Sequence, residues 1–180
     1  MKRNITYRLM PGSRRKARRL SALAGACRFV WNRLLAENRE AMEAWKRGEG
    51  EKPPTSFFAL DKRFTALRKA TPWLQEMAYV PVRYALKHQA DAWQAYFAGR
   101  AKRPRFHARR RGDSVTIPSA TVRIEHGALV VPRIGPMRLR RRGGNPYPEG
   151  RPVQAVITRR LGKWYATVCY EVEDTPGQDD

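Results

Sequence analysis

Three basic clusters stand out in the 180-residue sequence, and each has an anion-binding chemistry open to it. Arg103, Arg105, Arg109, Arg110 and Arg111 crowd one short stretch that also holds Phe106 and His107. A guanidinium pairs two-pronged with phosphate and a ring stacks on a base, so this mixture suits a nucleic-acid chain. The alternative is a solvated loop with Phe106 plugged into the core. Arg138, Arg140, Arg141 and Arg142 lead from a strand-like stretch into Gly143-Gly144. Alternation puts Arg138 and Arg140 on one face, opposite Leu139, where they serve either phosphate contact or protection of a sheet edge. Arg14, Arg15, Lys16, Arg18 and Arg19 open a helix, where positive charge opposes the dipole at about 0.3–1 kcal/mol per charge near the end. An external anion would offset that cost. Tyr79, Arg83 and Lys87 recur every four residues and share one helical face, opposite the buried stripe. An arginine in a major groove most often meets guanine; an unengaged, exposed face is the other reading.

No comparable constellation for catalysis is present. Cys-x-x-Cys, His-Glu-x-x-His, a phosphate loop and Gly-x-Gly-x-x-Gly are all missing. His88, His107 and His126 are scattered, without the cysteine or carboxylate spacing of a metal site. Two-metal phosphodiester cleavage needs carboxylates converging on ions about 4 Å apart, whereas Asp179 and Asp180 are adjacent at the acidic end and read as solvated charge. The expectation is no catalytic residue, no metal and no cofactor.

The bulk numbers point the same way. Lysine and arginine total 37 against 16 acids, a formal charge of +21 with a pI near 11.1. Glu171, Glu173, Asp174, Asp179 and Asp180 all lie in the last ten residues, so the body is more basic still. Such self-repulsion is relieved by a polyanion, with nucleic acid first and an anionic membrane surface second. Yet the chain is 42% hydrophobic with five Trp, seven Tyr and six Phe, which a disordered basic tail is not. Cys27 and Cys169 lie in apolar patterns and read as reduced core thiols. No apolar run approaches the roughly 20 residues of a membrane helix, and no amphipathic helix exposes an apolar face. These features predict a cytoplasmic protein, nucleoid-associated when bound to DNA.

The elements that must position these residues follow from periodicity. Ile5, Tyr7 and Leu9 alternate as a strand stopped by Pro11-Gly12. Leu20, Leu23, Cys27, Val30 and Leu34 form the seam of an amphipathic helix that Gly25 is expected to break in two. Thr55 or Ser56 caps a helix burying Leu60, Phe64 and Leu67, which Pro72 ends. The next helix, about residues 79–98, buries Val82, Leu86, Trp93 and Phe97. Trp31, Trp73, Trp93 and Trp164 are read as packing residues. Beyond Gly112 come short strands around 115–117, 122–124, 129–131 and 137–139, then a hairpin of 152–160 against 163–172 turning at Leu161-Gly162. A lone first strand needs distant partners. The order therefore predicts an α+β fold: a small antiparallel β-barrel with a four-helix, helix-turn-helix-like bundle inserted after the first strand.

This layout resembles the N-terminal half of the TnpB (OrfB) family of bacterial insertion sequences, RNA-guided endonucleases related to type V CRISPR effectors. The matching segments are Tyr7-Arg8-Leu9-Met10-Pro11, Ala26-Cys27-Arg28-Phe29-Val30-Trp31-Asn32, Pro72-Trp73-Leu74-Gln75-Glu76, Trp93-Gln94-Ala95-Tyr96-Phe97, Arg103-Pro104-Arg105-Phe106 with Asp113-Ser114, Val131-Pro132-Arg133-Ile134-Gly135-Pro136-Met137-Arg138-Leu139 and Leu161-Gly162-Lys163-Trp164-Tyr165. The resemblance implies a wedge-type barrel over 1–11 and 104–173, a recognition lobe over 12–103 and a flexible acidic tail over 174–180. It implies guide-type RNA and double-stranded DNA as partners. By position it assigns reading of a motif flanking the target to Phe57, Tyr79 and Arg83, and more loosely to Ser119 and Thr121. Several of these positions lack the family's usual residue types. The family's RuvC-like nuclease and zinc ribbon are absent from this sequence. The expectation is a transposase-associated binding module without nuclease activity of its own, partnered by a separately encoded nuclease half or acting as a repressor. The competing readings are an autonomous helix-turn-helix regulator and a general basic RNA-binding protein.

Overall fold

The computed structural model describes residues 1–141, 148 and 150–173. Among them it is an α+β protein with four helices and a seven-stranded antiparallel sheet curled into a half-barrel. Two compact units emerge, one of Met1–Arg19 with Thr116 onward, the other Leu20–Val115.

The first unit is built around β1 (Lys2–Met10). After it come β2 (Ser114–Ile117), β3 (Ile124–Glu125), β4 (Ala128–Val131), β5 (Gly135–Arg140), β6 (Arg151–Arg160) and β7 (Lys163–Glu171). The order across the sheet is β2-β6-β7-β1-β5-β4-β3, so the first strand lies in the middle. Alternation decides which face is buried. Tyr7, Leu9, Leu129, Val131, Met137, Leu139, Ala155, Ile157, Ala166 and Val168 all point to one side and are buried. Buried hydroxyls need partners, and those of Tyr7 and Tyr170 satisfy each other at 2.8 Å. Among the described residues the sheet has β2 and β3 as its two edges, a half-barrel where a small antiparallel β-barrel was expected. The strand expected near 122–124 is only the two-residue β3, because the chain turns tightly at Pro118, whose carbonyl accepts from the Thr121 and Val122 amides. The expected Gly143-Gly144 turn and the acidic tail of 174–180 lie outside the described residues.

The second unit centres on α1 (Arg14–Lys46) from Leu20 onward, joined by α2 (Phe57–Ala70), the single turn α3 (Pro72–Gln75) and α4 (Tyr79–Phe97). Ser13 starts α1, its Oγ accepting from the Lys16 amide at 3.1 Å. The helix runs straight through Gly25, contrary to the expected break. A mid-helix glycine costs only about 1 kcal/mol relative to alanine, and eleven buried residues along α1 outweigh it. Ser56 caps α2 through the Ala59 amide at 3.2 Å. Gly99, at φ 74°, terminates α4 in the left-handed conformation that glycine adopts without penalty. Trp31, Leu35, Met42 and Trp93 form one packed cluster. Leu67 is only half-buried, and Phe97 and Trp73 are exposed rather than buried. Phe97 stacks on the outer side of Trp93, and Trp73 meets Phe29 edge-on.

Candidate nucleic-acid interface

The most organised basic feature is an arm, residues 100–113, that leaves α4 and lies antiparallel along one side of α1. Its first anchor is an ion pair from Arg103 to Glu43 at 2.9 Å. The Arg39 guanidinium then sits 5.0 Å over the Phe106 ring. The Trp31 indole N–H donates to the Arg105 carbonyl at 2.8 Å. Asn32 grips the His107 backbone from both sides: its amide donates to the carbonyl at 2.9 Å, and its oxygen accepts the N–H at 2.8 Å. The His107 ring stacks on Trp31 with centroids 4.1 Å apart and planes at 11°. Asp113, almost fully buried, closes the arm by an ion pair with Arg28. Burial, then the neighbouring Arg28 charge, pulls the His107 pKa below its usual value and favours the neutral ring.

These anchors occupy α1 positions 28, 31, 32, 39 and 43, spaced to fall on one helical face. They use backbone groups, the rings of Trp31, Phe106 and His107 and the carboxylates of Glu43 and Asp113, and leave most of the arm's arginines without an ion pair among the described residues. Arg105, Arg109, Arg110 and Arg111 are exposed and form no ion pair among the described residues, the last three in a short 3-10 turn. Phe106 is 44% exposed, so it is not the core plug of the alternative reading. A docked arm presenting four cations around an accessible ring–guanidinium stack suits a phosphate chain with a base laid on the ring.

In the sheet unit, β5 presents Arg138 and Arg140 outward, with Met137 and Leu139 buried. Register adds a residue that sequence reasoning missed. Arg140 stands opposite Arg8, Arg8 opposite Tyr165, and Tyr165 opposite Thr158, a row across four strands. The Arg8 guanidinium lies 5.9 Å over the Tyr165 ring, and its Nε is buried with no hydrogen-bond partner among the described residues. The alternation of Tyr7, Arg8 and Leu9 already put Arg8 on the face away from the core. Arg141 is exposed and Arg142 lies outside the described residues. Of the helix-opening cluster, Arg14, Arg15, Arg18 and Arg19 are exposed, while Lys16 donates to the Pro136 carbonyl at 2.7 Å.

The α2–α4 face holds the remaining candidates. Tyr79 and Arg83 abut α2, so that side of α4 is packed rather than opposite the packing. Arg83 is paired two-pronged with Asp61 at 2.8 and 3.1 Å, which raises its pKa, and sits 4.8 Å over the Phe57 ring. Tyr79 stacks on Phe64, with Arg68 over its ring at 5.2 Å, yet remains 40% exposed. Lys87 pairs with Asp91. Ser119 is exposed and Thr121 bonds the Pro118 carbonyl within its own turn. Among the described residues no group of three or more His, Cys, Asp and Glu side chains could hold a metal ion, and no helix is long and apolar enough to cross a membrane. Cys27 is buried against the Pro81 carbonyl, its pKa pushed up to about 12 by burial and the nearby Asp113. Cys27 and Cys169 are both free thiols.

Comparison with known proteins gives this geometry its context. Residues 1–48 match the OrfB family described as a helix-turn-helix domain. Here they form a strand and one uninterrupted helix, with a short turn after it. The chain is 29% identical over 168 residues to an Escherichia coli protein named "Putative RNA-guided DNA endonuclease InsQ", covering 93% of this chain and 40% of that one. It is 30% identical over 182 residues to a Streptomyces pristinaespiralis protein named "Putative RNA-guided DNA endonuclease", covering 98% and 43%. Residues 1–48 are thus similar to the OrfB-type helix-turn-helix domain, and the chain spans about two-fifths of the length of the curated relatives it matches.

Proposed function

We propose that this chain is the nucleic-acid-binding part of a TnpB/OrfB-like, RNA-guided DNA-targeting protein. It grips guide-type RNA and target-flanking DNA and does not cut by itself. The observation that carries this reading is the docked arm, whose anchors hold it in place while Arg105, Arg109, Arg110 and Arg111 stay open to solvent. The sheet unit serves as the wedge-type body, the helical unit as the recognition lobe, and the scissile chemistry belongs to a separately encoded nuclease half. Base pairing carries most of the specificity in such systems, and the protein supplies backbone grip and a short flanking-motif contact. Phe57, Tyr79 and Arg83 are the flanking-motif candidates, with Arg83 braced by Asp61 and offering its remaining N–H edge. Site of action is the bacterial cytoplasm.

The test is purification from the host with sequencing of the co-purified nucleic acid, followed by binding across a salt series. One abundant RNA mapping to a transposon end is the expected result. Engagement of about six to eight phosphates predicts an affinity loss of about three to four decades between 50 and 200 mM salt. Affinity flat with salt refutes the reading, and DNA cleavage with magnesium alone refutes its non-cutting half. The helix-turn-helix family match favours one rival, an autonomous duplex-reading regulator, which would select a single duplex sequence with no RNA present.

A further inference from the structure

The tip of the β6–β7 hairpin breaks three local rules at once. Leu161 and Gly162 form its two-residue turn with φ of 49° and 76°. This primed turn strongly favours Asn-Gly or Asp-Gly, because both central residues need positive φ. The β3–β4 turn meets that demand with His126-Gly127, histidine being among the better-tolerated residues there. Leucine is not. Leu161 is also fully exposed, at 101% of its reference area, with no apolar neighbour to reward its shape. Finally, Arg160 and Lys163 are direct cross-strand partners, a like-charge pair that destabilises a ladder. Arg159, next on β6, caps the Trp164 ring at 5.3 Å and stiffens the tip.

A strained, solvated leucine between two cations that form no ion pair among the described residues makes no sense for the folded chain alone. It makes sense against a polyanion with an apolar interior. We infer that Leu161 is an intercalating side chain, which enters a stacked base step of a nucleic-acid duplex while Arg160 and Lys163 neutralise the flanking phosphates. Apolar residues inserted in this way partly unstack a step and kink a duplex by roughly 20–90°. The inference rests on the proposed nucleic-acid binding and adds a specific contact to it.

The turn chemistry supplies a clean variant. Leu161→Asn suits the primed turn better than leucine does, so it keeps or raises the melting temperature while deleting the apolar insert and leaving all charges in place. The probes are short DNA and RNA duplexes carrying 2-aminopurine at pyrimidine–purine steps, the steps most easily unstacked, plus end-labelled duplexes that report bending by energy transfer. The full chain is expected to raise 2-aminopurine fluorescence and shorten the end-to-end distance in one duplex type, which identifies the source of the base step. Leu161→Asn is expected to lose both signals and bind about fivefold more weakly, with an unchanged salt slope. Tight, salt-dependent binding with no fluorescence or bending response, or with the same response in Leu161→Asn, overturns the insertion and leaves the binding reading intact. Failure of the full chain to bind either duplex at low salt overturns both.

Discussion

Replacing Asn32 by alanine isolates the clasp that holds the basic arm. Asn32 makes two side-chain hydrogen bonds to the His107 backbone, at 2.9 and 2.8 Å, and the site is half-exposed. A hydrogen bond contributes about 0.5–1.5 kcal/mol net, and exposure places each of these in the lower half of that range. Their joint loss then costs about 1–2 kcal/mol, which raises the population of the released arm about 5- to 30-fold. Hydrogen exchange read by mass spectrometry on the peptide spanning 105–111 measures this directly, with the β6–β7 ladder as internal reference. Exchange in the arm should accelerate by that factor while the ladder is unchanged. Asn32→Asp keeps the acceptor for the His107 N–H and loses the donor, so it should fall between wild type and alanine. Because a loose arm must be ordered again on binding, nucleic-acid affinity should drop by no more than the same factor. Unchanged arm protection would refute the clasp, and uniform acceleration across the chain would show that Asn32 supports the fold rather than the arm.

Acid should loosen the same arm. The His107 pKa is held below its unfolded value of about 6.5, so its contribution to stability is present above that pH and disappears as pH falls through the lower folded value. Arm exchange should therefore rise, and the fluorescence of the stacked Trp31 should change, between pH 7.5 and 5, and His107→Phe should abolish that step. Trp93→Ala should cost about 3–5 kcal/mol, since Trp93 is fully buried in the cluster with Trp31, Leu35 and Met42; chemical denaturation measures it, and a loss under 1 kcal/mol would mean the cluster does not carry the helical unit.

Periodicity exposed those features whose causes are local. The hairpin turning at Leu161-Gly162, the seam of α1 and the outward Arg138–Arg140 pair are all one-segment patterns, and the structure has them. Gly25 misled because propensity is a local penalty, whereas the reward that overrides it comes from side chains packed from elsewhere in the chain. Trp31 and Asn32 were visible as a motif, but their partners are backbone groups of Arg105 and His107, and no side-chain pattern advertises a backbone acceptor. The Arg8–Tyr165 row was hidden for a related reason: it needs the strand order, which places β1 between β7 and β5. Phe106 was ambiguous because an aromatic in a basic run reads equally as insert or platform until its exposure is known.

The central place of β1 carries a consequence for biogenesis. Its neighbours are β5 and β7, and the Tyr7–Tyr170 hydroxyl contact joins groups 163 residues apart in the chain. During synthesis β1 must wait unpaired until β5 has left the ribosome on one side and β7, later still, on the other. Pairings of such span are slow and leave edges open to aggregation. The lysine and arginines spread along β1 act meanwhile as gatekeepers, and a polyanion that binds them early would chaperone the waiting strand as well as occupy the finished protein.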